Sequence, residues 1–294
     1  MNNTLDKWAD WVLKKRQGGD QNYQAALKEF SVIRDKLILG CRLKSNDVVL
    51  DVGCGDGLLG FGALEKVKEQ GNVIFCDISD DLLNYCRTFA ENNNVANNCS
   101  FINSNVETLH NIQDSSIDCI VLRSVLIYVK NKHSAFQAMY RVLKPGGRIA
   151  MCEPVNIFFV NHAGEWRYLG FDLTPVKHLA EKAIGKPAKW SQEEIAEDTM
   201  LNFDERDLMG LAWGCGFTSV NIQYEATSEK GGGGRTWDTI FKAAPNPNVQ
   251  SLEDRLKKRL SETEIEEFIT HFKPQVEKGN AVSHFAQVCL FAIK

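Results

Sequence analysis

The stretch VLDVGCGDGLLG, residues 49–60, ends an apolar run in an acid, Asp51, and sets it against glycines at alternate positions, Gly53, Gly55 and Gly57. Lacking a Cβ, such a turn takes positive φ and brings backbone close to a ligand, while the helix that follows presents free amides. A nicotinamide or flavin site prefers GxGxxG, and here the third glycine comes one residue early. A phosphate-cradling loop needs a lysine after its last glycine, and none follows Gly57 or Gly60. Asp51 and Asp56 would repel a pyrophosphate, so a ligand with a cationic end fits this turn better. Asp77 stands where a carboxylate accepts hydrogen bonds from both hydroxyls of a ribose.

These residues need a frame. From about residue 45 to 153 short apolar runs alternate with helical patterns, the sequence form of βαβ units in a parallel sheet. DVVLDVG, NVIFCDI, CSFINS, IDCIVLRS and GRIAMCEP read as strands. GLLGFGALEKVKEQ, DDLLNYCRTFAENN and KHSAFQAMYRVL read as helices, with apolar residues three or four apart. Strands apolar on both faces belong inside a layered α/β sandwich. After Glu153 the pattern loosens into a segment, 155–203, that reads as an insert above the sheet and carries a capping-box signature at Ser191 and Glu194. FDERDLMGLAWGCGF then predicts a helix and TSVNIQYEA a sixth strand. Four glycines at 231–234, two helices starting at Ser251 and Ser261, and AVSHFAQVCLFAIK, expected as an edge strand, complete the chain.

Bulk properties bound the function. With 34 basic against 38 acidic residues and pI near 5.9, nothing attracts the chain globally to nucleic acid or anionic membranes. The N-terminus lacks the apolar run of a secretory signal, and no stretch approaches the roughly eighteen uninterrupted apolar residues of a membrane span, so a cytoplasmic protein is expected. The nine cysteines form no CxxC pair and fall mostly in hydrophobic segments, as reduced core thiols do. The histidines show no metal-site spacing with Cys, Asp or Glu, and no catalytic metal is expected.

VLDVGCGDG, FCDIS, SNVETL, SIDCIVLRSVLIYV and RVLKPGGRIAMCEP resemble, in order, the motifs of class I S-adenosylmethionine-dependent methyltransferases; the resemblance covers about residues 45–155. It implies an α/β, Rossmann-like, seven-stranded and mostly parallel sheet with helices on both faces and helical inserts forming a substrate cap. The expected division is an N-terminal helical lid (1–36), a cofactor core (37–154), a cap insert (155–203), a core continuation (204–228), a second helical insert (229–281) and a last core strand (282–294). The cofactor implied is S-adenosylmethionine. Gly53, Cys54, Gly55 and Gly57 would meet its methionine part, with Asp51 orienting the ammonium. Asp77 would hold the ribose and Ile78 pack on the adenine face. Asn105, where the family often has aspartate, would accept from the exocyclic amine, and Val106 would donate from its backbone to a ring nitrogen. Arg123 and Ser124 follow the fourth strand, where the family contacts the methionine end; for Arg123 a structural salt bridge is the rival reading. Lys144, Pro145, Gly146 and Gly147 are assigned only to a turn.

Methyl transfer from a sulfonium is an in-line displacement with an activated donor, so alignment and water exclusion matter most and a general base is optional. Candidate bases are Glu153 at the end of strand five, Tyr128 after strand four, and His162 in the insert, with Glu165 near it. Glu153 leads because carboxyl ends of parallel strands face the ligand crevice; its rival reading pairs it with Arg123 or a backbone amide. Phe158, Phe159, Trp166, Tyr168 and Phe171 read either as lining of an apolar acceptor pocket or as the insert's own core. Leu5, Trp8 and Val12 share one helical face, followed by Tyr23, and read as a lid or as a plain packing helix. LRSV replaces the Asn or Asp, ProPro and aromatic run of enzymes that methylate exocyclic amines of nucleic-acid bases. The expectation is methylation of an O or N atom of a small molecule by a monomer or homodimer with no nucleic-acid or membrane partner. A protein or peptide methyltransferase and a non-catalytic cofactor-binding module are the alternatives.

Overall fold

Five apolar runs form the parallel part of the sheet: β1 (Val48–Val52), β2 (Asn72–Asp77), β3 (Cys99–Asn103), β4 (Ile117–Arg123) and β5 (Leu143–Pro154). The computed structural model describes residues 4–162, 165–231 and 235–294. A small hairpin, β6 (Arg167–Tyr168) with β7 (Phe171–Asp172), lies in the insert, and β8 (Ser219–Lys230) and β9 (Val282–Ile293) extend the main sheet antiparallel to it. The sheet order is β3-β2-β1-β4-β5-β9-β8.

The helices are α1 (Lys7–Asp10), α2 (Asp20–Cys41), α3 (Leu58–Val67), α4 (Asp80–Asn92), α5 (Lys132–Val142), α6 (Lys177–Ala183), α7 (Gln192–Glu197), α8 (Glu205–Cys215), α9 (Trp237–Lys242), α10 (Leu252–Arg259) and α11 (Glu262–Glu277). A π-helical turn, Trp11–Lys15, continues α1. Strand residues alternate between two cores: Leu50 and Val52 pack with Phe136 of α5 and Leu208 of α8, whereas Val49 packs with Leu37 of α2 and Ala63 of α3. This double burial explains why β1 and β4 read as unbroken apolar runs.

Two expectations need correction. AVSHFAQVCLFAIK is not at the edge: β9 lies between β5 and β8 and buries Val288, Cys289 and Leu290, and it is β8, with its polar SEK end, that faces outward. The lid boundary at residue 36 falls inside α2, whose Leu37, Ile38 and Cys41 are buried against the sheet; the α1 and π-turn segment lines the cleft together with Phe30 of α2. The segments expected as two inserts share one core, in which Phe171, Val176 and Leu179 meet Phe241, Leu256, Phe268 and Phe272. No helix among the described residues is long and apolar enough to cross a membrane.

Strand order reverses between β1 and β4: β2 and β3 extend to one side, β5 to the other. At such a reversal the connections from adjacent strand ends diverge and leave a crevice. Asp51, Gly53, Arg123 and Ser124 all stand at its mouth.

Candidate active site

β1 delivers the chain into a turn in which Gly53, Gly55 and Gly57 have φ of 63°, 55° and 81°. At Gly53 a Cβ would come 2.5 Å from Cγ2 of Val125. The Gly53→Ala variant therefore combines a strained backbone with a clash against a loop that is itself held, and we expect it to lose about 2–4 kcal/mol of stability, read by denaturant unfolding.

The turn is tied to the neighbouring strand. Cys54 N–H donates to the Cys76 carbonyl at 3.0 Å and Gly55 N–H to Asp77 Oδ2 at 3.0 Å, while Asp77 Oδ1 accepts from Ser79 N–H at 3.0 Å. Burial raises the Asp77 carboxyl, opposed by those amides. Asp51 is deeper, 1% exposed, and the Gly60 N–H donates to its Oδ2 at 2.7 Å. Burial pushes its carboxyl well above the ordinary range, with Asp77 and Asp56 adding to the effect. A cation placed beside it would offset that cost.

These groups line one cleft of about 610 Å³, which also takes in Cys54, Ile78, Asn105, Val106, Arg123, Ser124 and Tyr128. All eleven residues expected at the cofactor, apart from Gly57, thus border a single cavity; Gly57 begins α3 behind the turn. Ile78 is 52% exposed beside it, and Val106 is buried. The Asn105 side-chain oxygen already accepts from Glu107 N–H at 2.8 Å, which leaves it one lone pair for a ligand. Ser124 adopts φ 55° and donates its N–H to the Cys152 carbonyl at 3.0 Å. Arg123 forms no salt bridge among the described residues; its guanidinium lies 4.4 Å from the Phe30 ring centroid.

The expected base at Glu153 is a correction. Its carboxylate is fully buried, is not part of the cleft lining, and accepts from Val125 N–H at 2.9 Å and Ile127 N–H at 3.4 Å. The strand does end at the crevice, but this side chain turns beneath the loop after β4, whose amides would otherwise be unsatisfied. It is a positioning residue for Val125, which packs on Gly53. Tyr128 does line the cleft, edge-on to Trp8 at 5.0 Å and Trp11 at 6.3 Å, yet burial and the Glu153 charge push its phenol up to about 12. It forms part of the cleft wall. The side chains of His162, Phe159 and Tyr23 lie outside the described residues. Glu165 pairs with Arg167 in the insert.

Of the remaining aromatic candidates, Trp166, Tyr168 and Phe171 form the insert's own core with Phe272, and Phe158 packs against the sheet core. The cleft itself is walled also by Trp8, Trp11, Tyr128, Met200 and Pro245. The N-terminal segment borders the cleft with Trp8, Trp11, Val12 and Arg16. Asp6 caps α1 and accepts from Ser79 Oγ at 2.5 Å, Trp11 Nε1 donates to the Ala244 carbonyl at 2.9 Å, and Arg16 pairs with Asp56 at 2.7 Å. Trp11, Arg16, Met200 and Pro245 escaped sequence reasoning. Trp11 sits three residues from Trp8, a spacing that marks it; the others sit in segments without periodicity.

A buried acid at the end of β1, a positive-φ glycine turn tied to an acid at the end of β2, and a half-exposed apolar side chain beside them fit a nucleoside carrying a cationic amino-acid tail. The chain belongs to the methyltransferase domain family, whose model matches residues 43–205. It is a class I S-adenosylmethionine-dependent methyltransferase. Among curated proteins it is similar to the ubiquinone/menaquinone biosynthesis C-methyltransferase UbiE of Pectobacterium carotovorum, 32% identical over 61% of this chain and 69% of that protein. The UbiE protein of a Marinomonas species is 30% identical over 62% and 70%. The solved structure of the YcgJ protein from Bacillus subtilis shares the fold at TM-score 0.51 and 14% identity, covering 89% of this chain and 97% of that one.

Proposed function

We propose that the enzyme methylates a carbon atom of a small, ring-bearing acceptor held between the lid and the loop after β4. The observation that carries this reading is the acceptor wall, in which Trp8, Trp11, Tyr128, Met200 and Pro245 supply apolar and aromatic surface and Glu153 is turned away. Such a wall orients a flat ring and excludes water but withdraws no proton at neutral pH, which suits an acceptor whose attacking atom is already electron-rich. The curated relatives are named as C-methyltransferases, which supports carbon over the O or N atom expected from the motifs.

Within this reading Asp51 takes the ammonium of the donor, Gly53, Cys54 and Gly55 lie along its methionine chain, Asp77 holds the ribose, and Ile78, Asn105 and Val106 frame the adenine. The donor supplies an electrophilic methyl group on a sulfonium. Ser124 and Arg123 stand at the methionine end, Tyr128 walls the path to the acceptor, and the lid keeps water out. A small acceptor, no nucleic-acid or membrane partner, and a monomer or homodimer complete the proposal. A cytoplasmic setting accords with cysteines that are all unpaired. Carbon transfer is tested by magnetic resonance of products formed from methyl-labelled S-adenosylmethionine with a panel of phenols and quinols. The expected product carries a ring-bound methyl resonance; only methoxy or N-methyl resonances would reverse the assignment.

A further inference from the structure

The core between α2 and the sheet collects six buried thiols, Cys41, Cys54, Cys86, Cys119, Cys152 and Cys289. Thiols in apolar surroundings stay protonated and inert. Cys54 follows that rule: its hydrogen bond with Cys86, its burial and the nearby Asp51 and Asp77 hold its thiol well above the ordinary range. Cys41, hydrogen-bonded to Cys119, behaves likewise. The third pair is placed differently. Cys152 of β5 and Cys289 of β9 stand directly opposite in antiparallel register, with their Sγ atoms 2.7 Å apart, inside ordinary contact for two sulfurs. Opposed residues of antiparallel strands have Cα atoms about 4.5–5.5 Å apart, within the span that a disulfide bridges. The hydrogen bond with Cys152 lowers the Cys289 thiol to about 7; burial opposes it, and the Lys36 ammonium, which reaches Cys289 from α2, adds to it. Glu225 faces the pair from β8 and works against Lys36, but its Oε2 accepts from Gln287 Nε2 at 2.9 Å, and Gln287 Oε1 lies 3.5 Å from Cys152 Sγ. A thiol beside an ammonium, in contact with a second thiol, is the arrangement that oxidises reversibly.

We propose that Cys152 and Cys289 form a reversible disulfide, with hydrogen peroxide as oxidant, and that this bond weakens the donor site. The Cys289 sulfur attacks one peroxide oxygen: an S–O bond forms, the O–O bond breaks, and the first water leaves with the Cys289 proton. The Cys152 sulfur then attacks the sulfenic sulfur of Cys289; the S–S bond forms, the S–O bond breaks, and the second water leaves with the Cys152 proton. Two thiols are oxidised by two electrons and the peroxide is reduced to two waters. The consequence travels through β5. The Cys152 carbonyl accepts from Ser124 N–H at 3.0 Å, and the next residue, Glu153, accepts from Val125 and Ile127 N–H. Ser124, Val125 and Ile127 all line the donor cleft. Bond formation draws Cys152 toward β9 and away from β4, which loosens the Ser124 bond and the seat of Val125 against Gly53. The inference concerns the donor half of the site and holds whichever acceptor is used.

Peptide mass analysis under non-reducing conditions, paired with calorimetry, tests this on the full chain. Peroxide-treated wild type should yield a linked Cys152–Cys289 peptide, bind S-adenosylmethionine about tenfold more weakly, the worth of one buried hydrogen bond, and recover with dithiothreitol. Cys289→Ala should bind S-adenosylmethionine as the untreated wild type does, both before and after peroxide. Lys36→Gln should form the link about fivefold more slowly, because the thiolate fraction falls while its intrinsic nucleophilicity partly compensates. This half-buried position keeps the rate measurable even where melting temperatures show that Cys289→Ala does not fold. Absence of the link, a link at Cys54–Cys86 or Cys41–Cys119 in its place, or a complete Cys152–Cys289 link with unchanged donor affinity would overturn the proposal.

Discussion

Asp77→Ala is expected to weaken S-adenosylmethionine binding by about two to four orders of magnitude. Asp77 is the acceptor at the end of β2, buried at 7% exposure and already organised by Gly55 and Ser79 amides at 3.0 Å. Those bonds fix its orientation before a ligand arrives, so its free lone pairs meet the ribose without reorganisation cost. Two hydroxyl bonds to an ionised acceptor are worth about 1.5–3 kcal/mol each, which gives the range stated. Alanine also frees Gly55 N–H and loosens the turn. Asp77→Asn retains one acceptor oxygen and should lose about tenfold to a hundredfold. Equal affinities for wild type and Asp77→Ala in calorimetry would remove Asp77 from the donor site.

The second large effect falls on stability. Glu153→Ala strips the acceptor from two amides, Val125 and Ile127, in a fully buried position, and should destabilise the protein by about 2–4 kcal/mol. Glu153→Gln keeps an acceptor oxygen, so methyl transfer should survive; a proton-abstracting base would not tolerate that change. Burial raises the Glu153 carboxyl from 4.5 to about 7, with the amides and Arg123 opposing. For an acid whose folded value is raised, the favourable contribution is complete below 4.5 and is lost as pH rises through 7. This group alone should therefore cost the wild type roughly 3 kcal/mol across that window. Asp51 shifts in the same direction, so the comparison that isolates Glu153 is wild type minus Glu153→Gln in chemical denaturation. A difference that stays flat from pH 4.5 to 7 would show that the carboxyl titrates normally.

The donor half of the site was legible in the sequence because each group sits at a strand end at a characteristic distance from the glycine turn. Asp51 and Asp77 terminate apolar runs, and strand ends in a parallel sheet share one rim. Glu153 satisfies the same rule and yet points elsewhere, because its direction is set by the unsatisfied amides of the loop after β4, which no spacing records. The acceptor half was not legible. Trp8 and Trp11 fall at helical spacing, which does not distinguish a cleft wall from a plain packing helix, and Met200 and Pro245 enter from segments remote in sequence. The aromatic cluster of the insert suggested a pocket by composition, but Trp166, Tyr168 and Phe171 needed their own core against Phe272. The position of β9 was misjudged for a related reason: being last in sequence says nothing about sheet order, whereas burial of Val288, Cys289 and Leu290 required neighbours on both sides.

The N-terminal segment is tied down at three points. Its anchors, Asp6 with Ser79, Trp11 with Ala244 and Arg16 with Asp56, join the N-terminal segment to α4, to the second insert and to the glycine turn. In the proposed reading one element therefore closes both the donor and the acceptor site. The most direct test of the central claim is the fate of a labelled methyl group. Purified enzyme, methyl-labelled S-adenosylmethionine and cell extract separated by size should place the label in a small, solvent-extractable compound and not in precipitated protein or nucleic acid. Label confined to the macromolecular fraction would contradict the account.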